Sequence, residues 1–153
     1  MKQEKEATTG TKISPEEIKR VKGLGCLKDK RYDDIFNIRV ITRNGRITTE
    51  EHRAIADAAE KFGNGEITMT TRLSMEIQGV PYGNLEGAIA LLAEHGLTTG
   101  GTGSLVRPVV SCKGTTCQYG LIDTFSLSEK IHERFYLGYH NVTLPHKFKI
   151  AVG

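Results

Sequence analysis

The chain has 153 residues, of which 38% are hydrophobic and 25% are charged, a balance typical of a globular protein that buries a core. Its 21 basic and 18 acidic residues give a net charge of +3, which permits an anionic ligand without indicating nucleic acid. Apolar runs are too short to span a membrane, the N-terminus lacks an apolar signal core, and three cysteines are too few for a disulfide framework. We therefore expect a cytoplasmic protein that binds neither nucleic acid nor membrane.

The first part of the chain carries the signals of one short helix. Residues 1–11 are polar and predict a flexible tail. Ser14 is placed to cap the helix, Pro15 suits its first position, and Glu17 is placed to complete a capping box. The helix is predicted to end near Gly23 or Gly25.

Residues 33–97 alternate between strand and helix patterns. In chain order they predict a strand, a helix, one or two strands and a second helix. The predicted segments are 35–42, 48–62, 66–80 (with a break near 72–74) and 85–95. This order indicates an α+β sandwich of the ferredoxin-like type that lacks its last strand.

The Gly/Thr-rich segment 98–104 predicts a hinge and a domain boundary. Beyond it, the patterns predict a short strand, a loop, a helix and a closing strand. These segments are 106–110, 111–120, 123–137 and 147–152. Helical periodicity places Leu127, Ile131 and Phe135 on one stripe of the predicted helix.

Two cysteines in a Gly/Thr loop form the sharpest local feature. Cys112 and Cys117 suit a soft metal or an iron–sulfur cluster, but such sites need four ligands and Cys26 is distant in sequence. Two other interpretations stay open at this point. The pair could be small buried hydrophobic residues, or it could hold zinc together with His132 or His140.

Cations at strand and turn positions form the second feature. Arg39 lies on a predicted strand, Arg72 at a predicted break, and Arg107 just before the cysteine loop. Lys147 and Lys149 alternate on the closing strand and therefore point the same way. These positions indicate either an inward basic site or a solvated edge strand, and for the two lysines alone the solvated edge is preferred.

Four segments occur in one order over residues 23–153. They read IRVITRNGRITTEEH, MTTRLSMEIQGV, TGSLVRPVVSCKGTTCQYG and LPHKFKIAVG. Together they resemble the siroheme-dependent nitrite and sulfite reductases, which reduce sulfite to sulfide or nitrite to ammonia in a six-electron reaction. After a tail and short helix at 1–22, the resemblance implies a ferredoxin-like half-domain at 23–98. It also implies that 99–153 is the incomplete first part of an α/β domain that holds siroheme and a coupled 4Fe-4S cluster.

The resemblance also implies roles for individual residues. Those implied to contact siroheme are Thr70, Thr71, Arg72, Arg107 and Lys113. Those implied to line the substrate pocket are Arg39, Arg107, Lys147 and Lys149. Cys112 and Cys117 correspond to the first cysteine pair of the cluster motif. Such a basic set agrees with the chemistry, because siroheme carries many carboxylates and the substrates are anions that take up protons.

Two departures limit what this chain is expected to do. Cys112 and Cys117 are separated by four residues where the family commonly has five, and the second cysteine pair of the family would begin after Gly153. We therefore expect an inactive N-terminal fragment that lacks both siroheme and cluster. Its basic residues are expected to converge on an open groove, and apolar surface left exposed there would favour a homo-oligomer.

The preferred function is that of a reductase fragment acting on a small inorganic anion, sulfite rather than nitrite, with electrons from a donor protein or subunit. Two alternatives stay open: a non-catalytic zinc module, and a ferredoxin-like module that binds nucleic acid or protein. Bound metal and colour would distinguish them, because zinc is colourless whereas siroheme and iron–sulfur clusters absorb visible light.

Overall fold

The computed structural model describes residues 12–139 and 142–153, so the tail predicted at 1–11 lies outside the described residues. The helices are α1 (Pro15–Gly23), α2 (Thr49–Phe62), α3 (Leu85–Glu94) and α4 (Thr124–Ile131). The strands are β1 (Cys26–Lys28), β2 (Ile35–Val40), β3 (Ile67–Met69), β4 (Met75–Pro81), β5 (Val110–Ser111) and β6 (Ala151–Val152). In the described part of the chain, no helix has the length and apolarity needed to cross a bilayer.

The main sheet has four antiparallel strands in the order β1–β2–β4–β3. Alternation along β2 buries Phe36, Ile38 and Val40 on one face, as period two requires. The register places Arg39 of β2 opposite Glu76 of β4. This register places a carboxylate beside the Arg39 guanidinium.

The edge of the sheet beside β2 was incompletely predicted. Strand β1 was missed, because three residues after a glycine turn are too few to show alternation. It covers one end of this edge, and Thr99 bridges to Val40 at the other end. The two segments meet tightly, since a Cβ on Gly25 would lie 2.4 Å from the backbone nitrogen of Gly100. Together they occupy the position expected for the last strand of a ferredoxin-like sheet.

Helices α2 and α3 pack against this sheet and close the core. The helical residues with the deepest burial are Ile55, Ala58, Ala59, Leu85, Ala88 and Leu92. Their alternation of small and large side chains lets the helices approach the strands closely. The predicted order of strand, helix, two strands and helix is therefore confirmed, and with it the α+β class.

The helix starts show how local signals depend on their surroundings. At α2 the predicted capping box forms, because Thr48 Oγ1 accepts from Glu51 N at 3.1 Å and Thr48 N donates to the Glu51 carboxylate at 2.6 Å. At α1 Ser14 accepts from Glu17 N at 3.2 Å, but the Glu17 carboxylate is bound by Arg20 and Tyr82. Only half of the first predicted box is therefore present.

The last part of the chain contains a small parallel sheet. β5 pairs with β6, and an isolated bridge joins Val106 to Phe148. The segments predicted as strands at 106–110 and 147–152 do pair with each other. The regular strands β5 and β6 are shorter than these predicted segments.

The predicted apolar stripe of the last helix is wrong. Leu127 and Phe135 are exposed, whereas Thr124, Ser128 and Tyr136 are buried. Thr124 turns inward because its hydroxyl donates to the Cys112 carbonyl at 2.8 Å. Beyond Ile131 the chain continues in π-helical geometry over His132–Leu137, which changes the face that each later side chain presents.

Candidate functional site

An open cavity of about 250 Å³ is lined mainly by cations. Its lining residues are Lys22, Leu27, Arg39, Arg72, Thr102, Gly103, Arg107, Lys147 and Lys149. Six of these side chains are basic and none is acidic. The structure therefore brings together five of the six cations that the sequence analysis singled out, all except Lys113.

Backbone pairing explains why these cations meet. Arg107 N donates to Phe148 O at 2.8 Å, which sets Arg107 beside the stretch that carries Lys147 and Lys149. Arg39 comes from the middle of the main sheet, and Arg72 comes from the turn between β3 and β4. Residues from distant parts of the chain thus reach one cavity through two sheets.

Sequence reasoning missed four lining residues, namely Lys22, Leu27, Thr102 and Gly103. Lys22 reads as an ordinary basic residue in the last turn of α1. Thr102 reads as part of the predicted hinge, yet it is fully buried and its hydroxyl donates to the Lys22 carbonyl. This contact ties Thr102 to the end of α1. No pattern among neighbouring residues predicts a contact between residues so far apart in the chain.

Arg107 is the most constrained cation of the cavity. Only 9% of its surface is exposed, and its Nη1 donates to the Gly101 carbonyl. Its Nε is buried and has no hydrogen-bond partner among the described residues. Desolvation, reinforced by nearby Arg39 and Arg72, lowers the pKa of the Arg107 guanidinium. A buried, unpaired guanidinium is costly, and an anion in the cavity would relieve that cost.

The other two arginines are held differently. Arg39 Nε and Nη2 donate to Glu76 Oε1 at 3.0 and 2.6 Å, so a carboxylate already compensates this charge. Among the described residues, the acceptor for Arg72 Nη1 is the Pro108 carbonyl, at 3.4 Å. Among the described residues no carboxylate pairs with Arg72 or Arg107. The cavity therefore keeps a net positive charge.

Three residues implied to contact siroheme lie outside the lining of this cavity. Thr71 and Lys113 are exposed. Thr70 Oγ1 accepts from the backbone N–H groups of Arg72 and Ser74, at 3.3 and 3.2 Å. Thr70 therefore shapes the turn that presents Arg72.

The cysteines offer fewer ligands than a cluster requires. Cys112 and Cys117 are free and exposed, so they are not small buried residues. Cys26 is buried in the core, and burial raises the pKa of its thiol to about 12. Within residues 12–139 and 142–153, no group of three or more His, Cys, Asp or Glu side chains could hold a metal ion. The suggested zinc ligand His132 is half-buried and stacks on Tyr136, and His140 lies outside the described residues.

The basic cavity and the free cysteines fit the two implied cofactors, siroheme and a 4Fe-4S cluster, to different degrees. A cavity with six cations and an orphaned guanidinium Nε fits the many carboxylates of siroheme. A 4Fe-4S cluster takes four thiolates, and the described residues offer two exposed ones. Siroheme therefore fits the residues present, whereas a complete cluster does not.

Two family models match the chain. The nitrite/sulfite reductase ferredoxin-like half domain matches residues 28–95, and the nitrite and sulphite reductase 4Fe-4S domain matches residues 102–153. The chain therefore belongs to the nitrite and sulfite reductase family, and the resemblance seen in its motifs is confirmed.

Two of three similar proteins carry the name sulfite reductase. The coenzyme F420-dependent sulfite reductase of Methanocaldococcus jannaschii is 37% identical over 125 residues, covering 80% of this chain and 19% of that protein. An uncharacterised protein of the same organism is 36% identical over 137 residues, covering 86% of this chain and 48% of that one. The alpha subunit of the dissimilatory-type sulfite reductase of Allochromatium vinosum is 30% identical over 107 residues, covering 69% and 26%. The chain thus spans about half or less of the length of these relatives.

Solved structures support the fold. Dissimilatory sulfite reductase I superposes with a TM-score of 0.68 at 22% identity, covering 79% of this chain and 29% of that one. The Mycobacterium tuberculosis NirA protein superposes with a TM-score of 0.74 at 18% identity, covering 91% and 29%. At these identities the likeness establishes a shared fold.

Proposed function

We propose that this chain forms part of a siroheme-dependent reductase of sulfite or nitrite, and that its basic cavity binds siroheme carboxylates and the substrate anion. The observation that carries the proposal is the convergence of six cations, including an Arg107 with a buried, unpartnered Nε, on a cavity without acidic residues. The division proposed with it places the ferredoxin-like half-domain at 23–98 and the first part of the cofactor domain at 99–153.

Each cation has a distinct role in this proposal. Arg72 and Arg107, which have no carboxylate partner in the described part of the chain, bind siroheme carboxylates, and Arg107 also polarises the anion. Lys147 and Lys149 hold the substrate anion and supply protons as its oxygens leave as water. Arg39 contributes less charge because Glu76 compensates it. Siroheme, when bound, supplies the iron at which the anion is reduced.

The proposal extends to what this chain does alone. With two exposed thiols it does not complete a 4Fe-4S cluster, so reductase activity requires further thiolate ligands and an electron donor protein or subunit. The free cysteines also favour the cytoplasm as its compartment. Sulfite is the preferred substrate and nitrite the second choice.

A siroheme titration tests the cavity. The 153-residue chain is titrated anaerobically and binding is followed by absorbance. The chain alone is expected to be isolated without siroheme, but we expect added siroheme to bind saturably. Binding should weaken about tenfold or more in the Arg72→Gln/Arg107→Gln double variant, because charge-assisted hydrogen bonds are lost. The matched control is Arg53→Gln/Arg134→Gln, which removes equal charge from exposed positions outside the cavity. Equal weakening in both double variants would mean general charge attraction and would overturn the proposal.

Metal analysis tests the cluster. After anaerobic incubation with iron and sulfide, we expect less than a full cluster per chain. About four irons per chain would contradict the proposed ligand shortage. Stoichiometric zinc in the purified chain would instead favour the non-catalytic metal module.

A further inference from the structure

Helix α1 forms one wall of the basic cavity, although it precedes both matched regions of the family. The two family models match residues 28–95 and 102–153, and α1 ends before the first of them begins. Lys22, in the last turn of α1, nevertheless lines the cavity. Five of the six cations in the lining have proposed roles, and Lys22 is the one that has none so far.

Backbone contacts join the end of α1 to other residues of the cavity lining. The Lys22 carbonyl accepts from the hydroxyl of Thr102, which is fully buried, and from the backbone N–H of Gly25 at 3.2 Å. The Gly25 carbonyl in turn accepts from the backbone N–H of Arg39 at 3.0 Å. The Lys22 side chain therefore starts from a defined position at the cavity wall, because its backbone is tied to two lining residues.

The charge of Lys22 is uncompensated, unlike that of the other cation in the same turn of the helix. Arg20 donates to both carboxylate oxygens of Glu17, at 2.8 and 2.7 Å. Within the described ranges, the Lys22 ammonium group has neither an ion-pair partner nor a hydrogen-bond acceptor. The helix dipole favours a cation in the last turn, but it does not explain why this one lines a cavity whose lining has no acidic residue.

Lys22 reaches the cavity from a different wall than the other two lysines. All three lysine side chains are exposed, whereas Arg107 is buried, so the lysines lie at the mouth of the cavity. Lys147 and Lys149 belong to the segment that pairs with the backbone of Arg107, whereas Lys22 belongs to α1. A ligand that carries several carboxylates around its edge can contact both walls at once.

We infer that Lys22 is a binding residue of the basic cavity, which takes a peripheral carboxylate of the ligand from the α1 side. The inference deepens the proposed function and rests on it in so far as that ligand is siroheme. An ammonium group on a flexible stem suits this role, because it donates charge-assisted hydrogen bonds over a range of geometries. Lys22 is thereby assigned to the edge of the cofactor and not to the substrate anion.

The first test is an anaerobic siroheme titration of Lys22→Gln, with Lys19→Gln as the matched control. Lys19 is exposed on the same helix and does not line the cavity, so its replacement removes the same charge. We expect Lys22→Gln to weaken binding about fivefold, Lys19→Gln to change it less than about twofold, and Lys22→Arg to restore most of the affinity. Equal affinities of Lys22→Gln and the wild-type chain would overturn the inference.

Acetylation of the wild-type lysines gives a second test that needs no variant. The rate of acetylation at each lysine is measured by mass spectrometry, with siroheme as the probe if the wild-type chain binds it and with citrate, a tricarboxylate, if it does not. A wild-type chain that fails to bind siroheme would contradict the proposed function, and citrate then tests Lys22 by itself. We expect the saturating probe to slow acetylation of Lys22 at least about threefold relative to Lys19. Equal slowing at both lysines, or none at Lys22, would refute the inference.

Discussion

Residues 26–97 and residues 105–153 differ in how far their apolar side chains are buried and their charges are paired. In residues 26–97 the core side chains are well buried, with Phe36 and Ile38 fully so, and the arginines Arg39 and Arg43 each pair with a glutamate. In residues 105–153 the regular strands are only two residues long and many large apolar side chains are exposed. These exposed residues are Tyr119, Leu121, Ile122, Leu127, Phe135, Leu137, Tyr139, Val142 and Phe148.

The difference shows where stability and function lie. The first half supplies a rigid sheet that presents Arg39 and Arg72, and the second half brings Arg107, Lys147 and Lys149 to it without compensating carboxylates. An anion site needs charge that the fold has not already neutralised. The cavity therefore forms where a well-packed half meets a sparsely packed one.

Thiol reactivity should show the largest contrast between the halves. Cys26 is 1% exposed and has a pKa raised to about 12 by burial, whereas Cys112 and Cys117 are exposed. With a disulfide reagent at pH 8, we expect two thiols to react quickly and Cys26 at least about 1,000-fold more slowly, because it must wait for unfolding. Equal reaction rates for all three thiols would contradict the burial of Cys26. As a control, denaturant should make all three thiols react at similar rates.

Core truncation should give the next largest effect. Ile38→Ala removes a fully buried side chain from the centre of β2 and should lower the free energy of unfolding by about 3–4 kcal/mol. Phe135→Ala, in the second half, removes a larger but exposed ring and should cost less than about 1 kcal/mol. Urea unfolding measures both. Similar losses would show that the two halves contribute equally to stability.

Replacing the unpaired guanidinium should separate binding from stability. Arg107→Met removes a buried charge that lacks a carboxylate partner, so we expect siroheme affinity to fall about tenfold while the free energy of unfolding stays within about 1 kcal/mol of wild type or rises. Absorbance titration and urea unfolding measure the two quantities. Arg134→Met, at an exposed position, serves as the control. A loss of stability of several kcal/mol would mean that Arg107 is chiefly a structural residue.

The smallest effect concerns the pH dependence of the first half. The Arg43 guanidinium, bonded to Glu51, lowers the pKa of that carboxyl to about 2 from an ordinary value of 4.5. The folded state therefore gains stability above pH 4.5 and loses it as the pH falls towards 2. Glu51→Gln should cost about 1 kcal/mol at neutral pH and flatten this acid limb in urea unfolding, whereas exposed Glu50→Gln should not. An unchanged acid limb would show that the pair is too solvated to matter.

Local patterns predicted most of the first half because its signals are short-range. The capping box of α2, the glycine at its end and the alternation in β2 each depend on neighbours within a few residues. The predicted apolar stripe of the last helix was wrong because it depends on contacts outside the helix. The Thr124 hydroxyl donates to the Cys112 carbonyl, and the helix becomes π-helical after Ile131. Periodicity cannot anticipate either contact.

The four motifs of the sequence indicated the family by resemblance. Residue types and local spacing determined the order of the elements in the first half and pointed to five of the six cations of the cavity. Only the tertiary structure added Lys22, which Thr102 contacts from 80 positions away along the chain. It alone decided that Arg39 is paired with Glu76 and that Arg107 is not. The physical reason is that compensation of a charge depends on which strand lies opposite, and that register is set by the packing of the whole sheet.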